Sequence, residues 1–188
     1  KHSVYQTSSL MMRAQSKACY SEDAQSSEWF GRVINGRAHA RVSAIVADAQ
    51  RTGHVAMGGR VDAADNYVEP TILDFGTDWA AFRASKAMED EIFGPVLPMI
   101  RYGALDDVVA HVCAGEKPLS LYCFTTNGAV RDRVLAETSS GSVNINDVIM
   151  HMSNHLLPFG GVGQGGMGAY HGKRTFDCVQ PLMGPSGQ

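Results

Sequence analysis

The stretch LSLYCFTTNGAVRDRVLAETSSGSVNIND, residues 119–147, decides the fold class of this chain. It opens with a run rich in β-forming side chains at 119–126 and closes with a second such run at 141–147. Between them, residues 128–138 have helical spacing. This helix is predicted to turn three apolar side chains inward: Val130, Val134 and Leu135. The stretch therefore predicts a strand, a helix and a second strand joined by short connections.

The same alternation extends upstream. VLPMIRY, residues 96–102, is short and apolar like a buried strand, and the residues after it carry apolar side chains at i, i+3, i+4 and i+7. Those side chains are Leu105, Val108, Val109 and Val112. Parallel strands need crossover helices, so β-α-β-α-β predicts an α/β fold with a parallel, Rossmann-like sheet. Functional sites in such sheets lie beyond the carboxyl ends of the strands, where we expect Asn144, Asn146, Asp147 and the glycine-rich stretch that follows.

Two further elements precede this region. Apolar residues recur at i, i+3, i+4 and i+7 in a helix that ends near Gly53, and they are Val42, Ile45, Val46 and Ala49. The segment NYVEPTIL is predicted to be extended, because Glu69 precedes Pro70 and proline disfavours the α region at the residue before it. Without a clear linker, we expect one domain over residues 1–175 and a C-terminal tail, 176–188, that serves as an oligomerisation arm or is disordered.

Composition excludes several classes of protein. The chain has 188 residues, of which 44% are hydrophobic, which suffices for a domain with a core. The net charge of −3 comes without a basic stripe and argues against nucleic acid as a partner. No apolar run is long enough to span a bilayer. Four cysteines without a C-x-x-C pair favour free thiols in a reducing compartment, and we predict a cytoplasmic location; the even count leaves disulfides open as an alternative. The opening at Lys1 suggests a fragment or a processed chain.

The segment LPFGGVGQGGMGAYHGK, residues 157–173, contains the pattern G-x-G-x-x-G at residues 161–166. A dinucleotide-binding fingerprint must open a helix and be followed by an acidic residue about 20 positions later. Only 22 residues follow Gly166, and Asp177 comes too early. We therefore do not expect a phosphate-binding loop here. A substrate-channel wall and a tight surface turn both remain open, since glycine permits close approach of the backbone.

Taken together, five motifs resemble the aldehyde dehydrogenase superfamily, most closely its class 3 type, which oxidises aromatic and fatty aldehydes. The resemblance runs in order from about Tyr20 to about Phe176 and is weak over residues 1–19. The motifs are YVEPTIL (67–73), EIFGPVLPMI (91–100), EKPLSLYCFTTN (116–127), SSGSVNINDV (139–148) and HLLPFGGVGQGGMGAYHGK (155–173).

The resemblance implies covalent catalysis. A cysteine thiolate attacks the aldehyde, hydride passes from the resulting thiohemiacetal to NAD or NADP, and a water activated by a glutamate releases the carboxylic acid. In the family, the nucleophilic cysteine, the general-base glutamate and the main dinucleotide-binding domain all lie upstream of the region that matches Lys1. We therefore expect a partial catalytic domain that contains no catalytic residue, is inactive by itself, and belongs to a parent that is a homodimer.

The resemblance also assigns roles to single residues. Glu91 matches the glutamate that accepts hydrogen bonds from the nicotinamide ribose, and Phe93 matches the phenylalanine that packs against the nicotinamide end. Without the family, the residues alone favour a solvated acid at a helix end for Glu91, and the alternative for Phe93 is a core residue. Phe159 matches a residue of the aldehyde tunnel, and Asn146 and His155 come from stretches that border this tunnel.

Other interpretations stay open beside this one. His151 and His155 form H-x-x-x-H, but a third metal ligand is not evident and we predict no metal. The isolated chain could instead be a non-catalytic binding or oligomerisation module, which an exposed apolar face would indicate. A weaker alternative is a free-standing nucleotide-binding domain that uses the glycine-rich loop.

Overall fold

The computed structural model describes the backbone of residues 2–179 and the side chains of residues 10–179. The chain forms two compact units, an N-terminal unit that ends at Arg101 and a C-terminal unit that begins at Tyr102. Of the predicted tail, residues 180–188 lie outside the described residues, and residues 176–179 belong to the last helix. None of the helices in the described part of the chain is long and apolar enough to cross a membrane.

The N-terminal unit contains the helices α1 His2–Tyr20, α2 Gly36–Arg51 and α3 Trp79–Ala84. Its strands are β1 Val55–Met57, β2 Val61–Asp62, β3 Tyr67–Val68, β4 Thr71–Asp74 and β5 Val96–Met99. One sheet has the order β1-β4-β5, with β1 antiparallel and β5 parallel to β4, and β2 pairs with β3 in an antiparallel ribbon.

Helix α2 confirms the predicted apolar spacing. Asn35 caps it, because its side-chain oxygen accepts a hydrogen bond from the backbone N–H of Ala38 at 2.9 Å. The apolar face of α2 forms a core with β3, β4 and β5, in which Val42 and Leu73 are fully buried. The remaining buried members of this core are Val33, Ile45, Val46, Ala49, Val68, Phe75, Phe82, Ala87 and Val96.

The C-terminal unit contains the helices α4 Leu105–Ala114, α5 Gly128–Glu137, α6 Met150–Ser153 and α7 Gly172–Val179. Its strands are β6 Ser120–Cys123 and β7 Ser142–Ile145. They pair in parallel, with Ser120 opposite Ser142 and Cys123 opposite Ile145, and α5 is the crossover between them. The predicted α/β fold with parallel strands is therefore confirmed.

Two details differ from the expectation. The strand at 96–102 was expected in one sheet with the strands at 119–126 and 141–147, but β5 pairs with β4, where the Thr71 N–H donates to the Pro95 carbonyl at 2.8 Å. Leu135 was expected to face inward, yet it is 47% exposed, whereas Val134 is buried. Adjacent helical residues differ by about 100° in direction, so α5 turns Val134 to the interior and Leu135 to the surface.

Candidate functional site

Glu91 and Phe93 lie in an exposed turn that leads into β5. The Glu91 side chain is exposed, and its backbone N–H donates to the Asp90 carboxylate at 2.8 Å. Phe93 has a φ of +45°, in the left-handed region that bulky side chains avoid, and it is 73% exposed. The alternative of a core phenylalanine is therefore wrong. An exposed aromatic ring on a strained backbone is typical of a ligand-contacting segment.

Helix α2 packs against this turn and fixes its backbone. The guanidinium of Arg41 donates to two successive backbone carbonyls, that of Glu91 at 3.1 Å and that of Ile92. The next residue of the helix, Val42, packs against Gly94 so closely that a Cβ on Gly94 would lie 2.9 Å from a Val42 methyl carbon. Sequence reasoning missed Arg41, since its partners are carbonyls about 50 residues away that carry no residue signature.

A groove of about 470 Å³ borders the turn within the N-terminal unit. Its lining is mainly apolar, and Ile34 on its wall is 87% exposed. The lining residues are Phe30, Gly31, Arg32, Val33, Ile34, Val68, Phe93, Gly94 and Pro95. An exposed carboxylate, an aromatic ring and an apolar groove suit a ligand that combines hydroxyl groups with a flat ring.

Arg32 links this groove to a cluster of charges. Its Nε donates to the Asp65 carboxylate at 2.8 Å, and Gln25 donates to the same carboxylate at 3.2 Å. The two donors, Arg32 first, hold the pKa of the Asp65 carboxyl below its usual value. Arg32 also lies over the ring of Tyr67, 5.2 Å from its centroid, and burial raises the pKa of the Tyr67 phenol. The charge of Arg32 on the groove wall is thus paired with that of Asp65.

Asn146 lies at the carboxyl ends of β6 and β7, as expected. Its side chain joins the two strand ends: Oδ1 accepts from the Thr125 N–H at 2.7 Å and Nδ2 donates to the Thr125 carbonyl at 3.0 Å. Its backbone N–H donates to the Cys123 carbonyl, and its φ is +59°. Asparagine tolerates this left-handed conformation better than most residues, so the position suits it.

Phe159 and His155 belong to an aromatic cluster in the same unit. Backbone N–H groups and carbonyls of Phe159 and Tyr170 form a reciprocal pair of hydrogen bonds at 2.9 Å. The Phe159 ring lies 5.5 Å from the ring of His151 and 6.0 Å from that of His171, at interplanar angles of 32° and 26°. His155 is exposed, and its ring lies edge-on to His171 at 5.2 Å. The Phe159 ring therefore lies close to two imidazole rings.

His151 is the buried member of this cluster, with 7% of its surface exposed. Its Nδ1 lies 2.5 Å from Asn144 Nδ2 and its Nε2 lies 2.9 Å from Ser120 Oγ. With Asn144 as donor to Nδ1, the ring proton is on Nε2 and Ser120 accepts it. Both nitrogens are thus engaged in hydrogen bonds. The H-x-x-x-H pattern singled out His151, but this hydrogen-bonded role could not be deduced from it.

Residues 161–166 do not have the context of a dinucleotide fingerprint. The described structure places a short 3-10 turn at Gly163–Gly165, and the next helix begins only at Gly172. The glycines serve backbone packing: a Cβ on Gly161 would lie 2.0 Å from the Gly165 carbonyl oxygen, and one on Gly165 would lie 2.7 Å from that of Lys117. Lys117 precedes β6, so this part of the stretch contacts the amino end of the strand and not the expected carboxyl end.

The four cysteines are free thiols. Cys113 donates its S–H to the Glu137 carbonyl and Cys178 to the Ala169 carbonyl, each at 3.0 Å. Both sulfurs are therefore directed at main-chain oxygens of the C-terminal unit. Among the residues that the structure describes, no group of three or more His, Cys, Asp or Glu side chains could hold a metal ion.

Comparison with known proteins gives a consistent result. The aldehyde dehydrogenase family model matches residues 1–181, so the likeness extends beyond the expected limits of Tyr20 and Phe176. A dimeric NADP-preferring aldehyde dehydrogenase of Canis lupus familiaris is 46% identical over 89% of this chain and 37% of its own length. The protein of the same description from Bos taurus is 43% identical over 89% of this chain and 70% of its length.

The likeness extends to three dimensions. A solved structure described as a substrate-bound state of Staphylococcus aureus AldH superposes with a TM-score of 0.80 at 40% identity. The alignment covers 88% of this chain and 34% of that protein. The chain thus spans about a third of the length of this structure and of the dog relative.

Proposed function

This chain belongs to the aldehyde dehydrogenase family, and we propose from this premise that it is the C-terminal segment of an NAD(P)-dependent enzyme that oxidises aldehydes to carboxylic acids. The observation that carries the proposal is the turn at residues 91–94, which presents a carboxylate and an aromatic ring beside an apolar groove. The dog and cattle relatives are named as NADP-preferring, which supports a nicotinamide cofactor.

The residues of this turn fit the nicotinamide half of such a cofactor. The Glu91 carboxylate can accept hydrogen bonds from two ribose hydroxyls at once, because each of its oxygens carries acceptor lone pairs. The exposed ring of Phe93 offers a flat apolar surface for the nicotinamide. When bound, the oxidised cofactor supplies the hydride acceptor. Glu91 and Phe93 orient this acceptor and leave the chemistry at the aldehyde to other residues.

The C-terminal unit is proposed to form part of the aldehyde tunnel. Phe159 supplies an apolar ring whose position is set by its neighbours His151 and His171, and His155 lies beside the same cluster. Asn146 fixes the strand ends next to the tunnel through its bonds to Thr125. An aromatic wall of this kind excludes water and favours aldehydes with aromatic or long alkyl substituents.

We place the catalytic cysteine and the general-base glutamate outside this chain. The hydrogen bonds of Cys113 and Cys178 to carbonyl oxygens support their being inert thiols. The isolated chain should therefore have no dehydrogenase activity. The whole protein is proposed to be a cytoplasmic homodimer that includes an upstream dinucleotide-binding domain; the dimeric relatives support the subunit arrangement.

One experiment tests both the activity and the role of Glu91. The 188-residue chain and the full-length protein are assayed for formation of NADH or NADPH with an aromatic and a medium-chain aldehyde. We expect turnover from the full-length protein alone. In that protein, Glu91→Gln should slow single-turnover hydride transfer roughly 10- to 100-fold without changing aldehyde affinity, because the nicotinamide loses its orientation. Turnover by the isolated chain would place the nucleophile among its own cysteines.

The matched control is Glu89→Gln, which removes an exposed acid two residues earlier and should leave hydride transfer unchanged. An unaltered rate in Glu91→Gln would remove Glu91 from the site. A second candidate function, a non-catalytic binding or oligomerisation module, is favoured by exposed apolar side chains such as Leu156 and Met167, which are 91% and 100% exposed. It would gain support if the full-length protein also failed to oxidise aldehydes.

A further inference from the structure

We propose that Arg41 is a positioning residue that sets the conformation of the turn at residues 91–94 and thereby the directions of Glu91 and Phe93. The inference rests on the proposed function for the role of those two side chains. Its geometric basis is independent, since the Arg41 guanidinium donates to the carbonyls of both Glu91 and Ile92.

Two adjacent carbonyls bonded to one guanidinium define the orientation of two adjacent peptide groups. The planar fork of arginine suits this task, because its donors point in fixed directions, whereas the single ammonium of lysine is a point charge. Once the peptide groups that follow Glu91 and Ile92 are oriented, the backbone at Phe93 is fixed on its amino side. Arg41 therefore acts through the backbone and touches neither the Glu91 carboxylate nor any reacting group.

The backbone at Phe93 needs such external contacts. Its φ of +45° is unfavourable for a bulky side chain, and the 73% exposed ring gains little from burial. The neighbouring Gly94 is fixed on the other side by its close packing on the fully buried Val42. Two consecutive residues of α2, Arg41 and Val42, thus hold the strained residue from both directions.

Arg41 is itself exposed and is not part of the core that α2 forms. A change at Arg41 should therefore loosen the turn while the helix and the core remain intact. A general structural role would instead lower the stability of the whole N-terminal unit. These two behaviours can be separated by experiment.

The first test measures order in the turn of the 188-residue chain by ¹⁵N relaxation. In Arg41→Met, the heteronuclear NOE of residues 91–94 should fall, while residues of α2 and β4 keep their values. Arg41→Lys keeps a single charged donor nitrogen in place of the guanidinium fork and should give an intermediate loss. The control Arg37→Met, one turn earlier on the same helix and also exposed, should leave the turn unchanged. Unchanged order at residues 91–94 in Arg41→Met, or an equal loss throughout the unit, would overturn the proposal.

The second test measures equilibrium binding to the full-length protein by calorimetry. Arg41→Met should raise the Kd of NADP⁺ about tenfold and leave that of 2′,5′-ADP, which lacks the nicotinamide half, within twofold. Arg41→Lys should lie between. Equal weakening of both ligands, or of neither, would contradict a role in positioning. If Glu91→Gln alters neither NADP⁺ binding nor hydride transfer, the proposed role of Glu91 fails, while the relaxation result still decides whether Arg41 orders the turn.

Discussion

Each unit has a loop that contains candidate site residues, and the two loops are held in place by different kinds of atoms. In the N-terminal unit, Gly94 of the turn at residues 91–94 faces side-chain methyl groups of Val42, the nearest of which would be 2.9 Å from an added Cβ. In the C-terminal unit, Gly161 faces the carbonyl oxygen of Gly165, 2.0 Å from an added Cβ. A methyl group can shift by a few tenths of an ångström, whereas a carbonyl moves only with its backbone. The second loop should therefore tolerate less change than the first.

The two units also differ in how many apolar side chains they bury. The N-terminal unit has an apolar core of buried side chains around α2. Among the described residues of the C-terminal unit, the buried side chains are Val109, Val134 and His151, and each keeps 7–9% of its surface exposed. Apolar burial therefore contributes less to the stability of this unit than to that of the N-terminal unit, and hydrogen bonds and close backbone contacts contribute a larger share.

The largest effect is expected for Gly161→Ala. The new methyl group would overlap the Gly165 carbonyl, so the loop must open, and we expect a loss of about 3 kcal/mol or more in the free energy of unfolding. The measurement is chemical denaturation followed by circular dichroism. Both tryptophans, Trp29 and Trp79, lie in the N-terminal unit, so their fluorescence should shift less than the dichroism signal.

Gly168→Ala is the control for this prediction. Gly168 has a φ of +79° but open space around it, so alanine there should cost only the left-handed strain of about 1–2 kcal/mol. Equal losses of unfolding free energy in the two variants would show that backbone strain, and not contact with the Gly165 carbonyl, determines the cost of an added methyl group in this loop. The contrast between the two loops would then lose its physical basis.

Ser120→Ala tests the polar interior of the C-terminal unit. It leaves the Nε2 proton of the buried His151 without its acceptor, so we expect the free energy of unfolding to fall by about 2 kcal/mol. The exposed Ser153 provides the comparison, because Ser153→Ala removes a hydroxyl at the surface. Equal and negligible effects in the two variants would mean that the Ser120–His151 bond does not stabilise this unit.

The sequence could predict those features that depend on local spacing. The apolar residues of α2 recur at helical intervals, and Val42, Ile45, Val46 and Ala49 are indeed buried. The alternation over residues 96–147 gave the strands and helices in their order. It could not predict that β5 pairs with β4, because an alternating pattern predicts where strands and helices occur and not which strands are neighbours in a sheet.

The site was predictable only in part, for a similar reason. The motifs identified Glu91, Phe93 and Phe159 as candidate site residues, but the roles of these residues stay predictions. Arg41 could not be chosen at all, because it binds main-chain carbonyls, which every residue possesses. The glycines could be recognised as sites of close approach, yet the backbone that they approach became evident only in three dimensions.

Gly94→Ala should have a smaller effect than the two changes in the C-terminal unit. The added methyl group would press on the Val42 side chain, which can move slightly, and we expect a loss of about 1 kcal/mol by thermal denaturation followed through tryptophan fluorescence. Gly31→Ala, which meets no atom within 4 Å, should be neutral or slightly stabilising. A loss at Gly94 as large as that at Gly161 would contradict the distinction between side-chain and backbone contacts.

The smallest effect is expected at the charged cluster of the N-terminal unit. Hydrogen bonds from Arg32 and Gln25 lower the pKa of the Asp65 carboxyl in the folded state, so the carboxylate stabilises this unit above its usual pKa near 3.8. This contribution disappears as the pH falls through the lower folded-state pKa. Asp65→Asn should therefore be less stable than the parent at pH 6, and the difference should vanish in strong acid. Tryptophan fluorescence during urea denaturation measures it, with the exposed Asp107→Asn of the other unit as control. A difference that stays constant down to pH 2.5 would show that Asp65 acts through its shape or neutral hydrogen bonds and not through its charge.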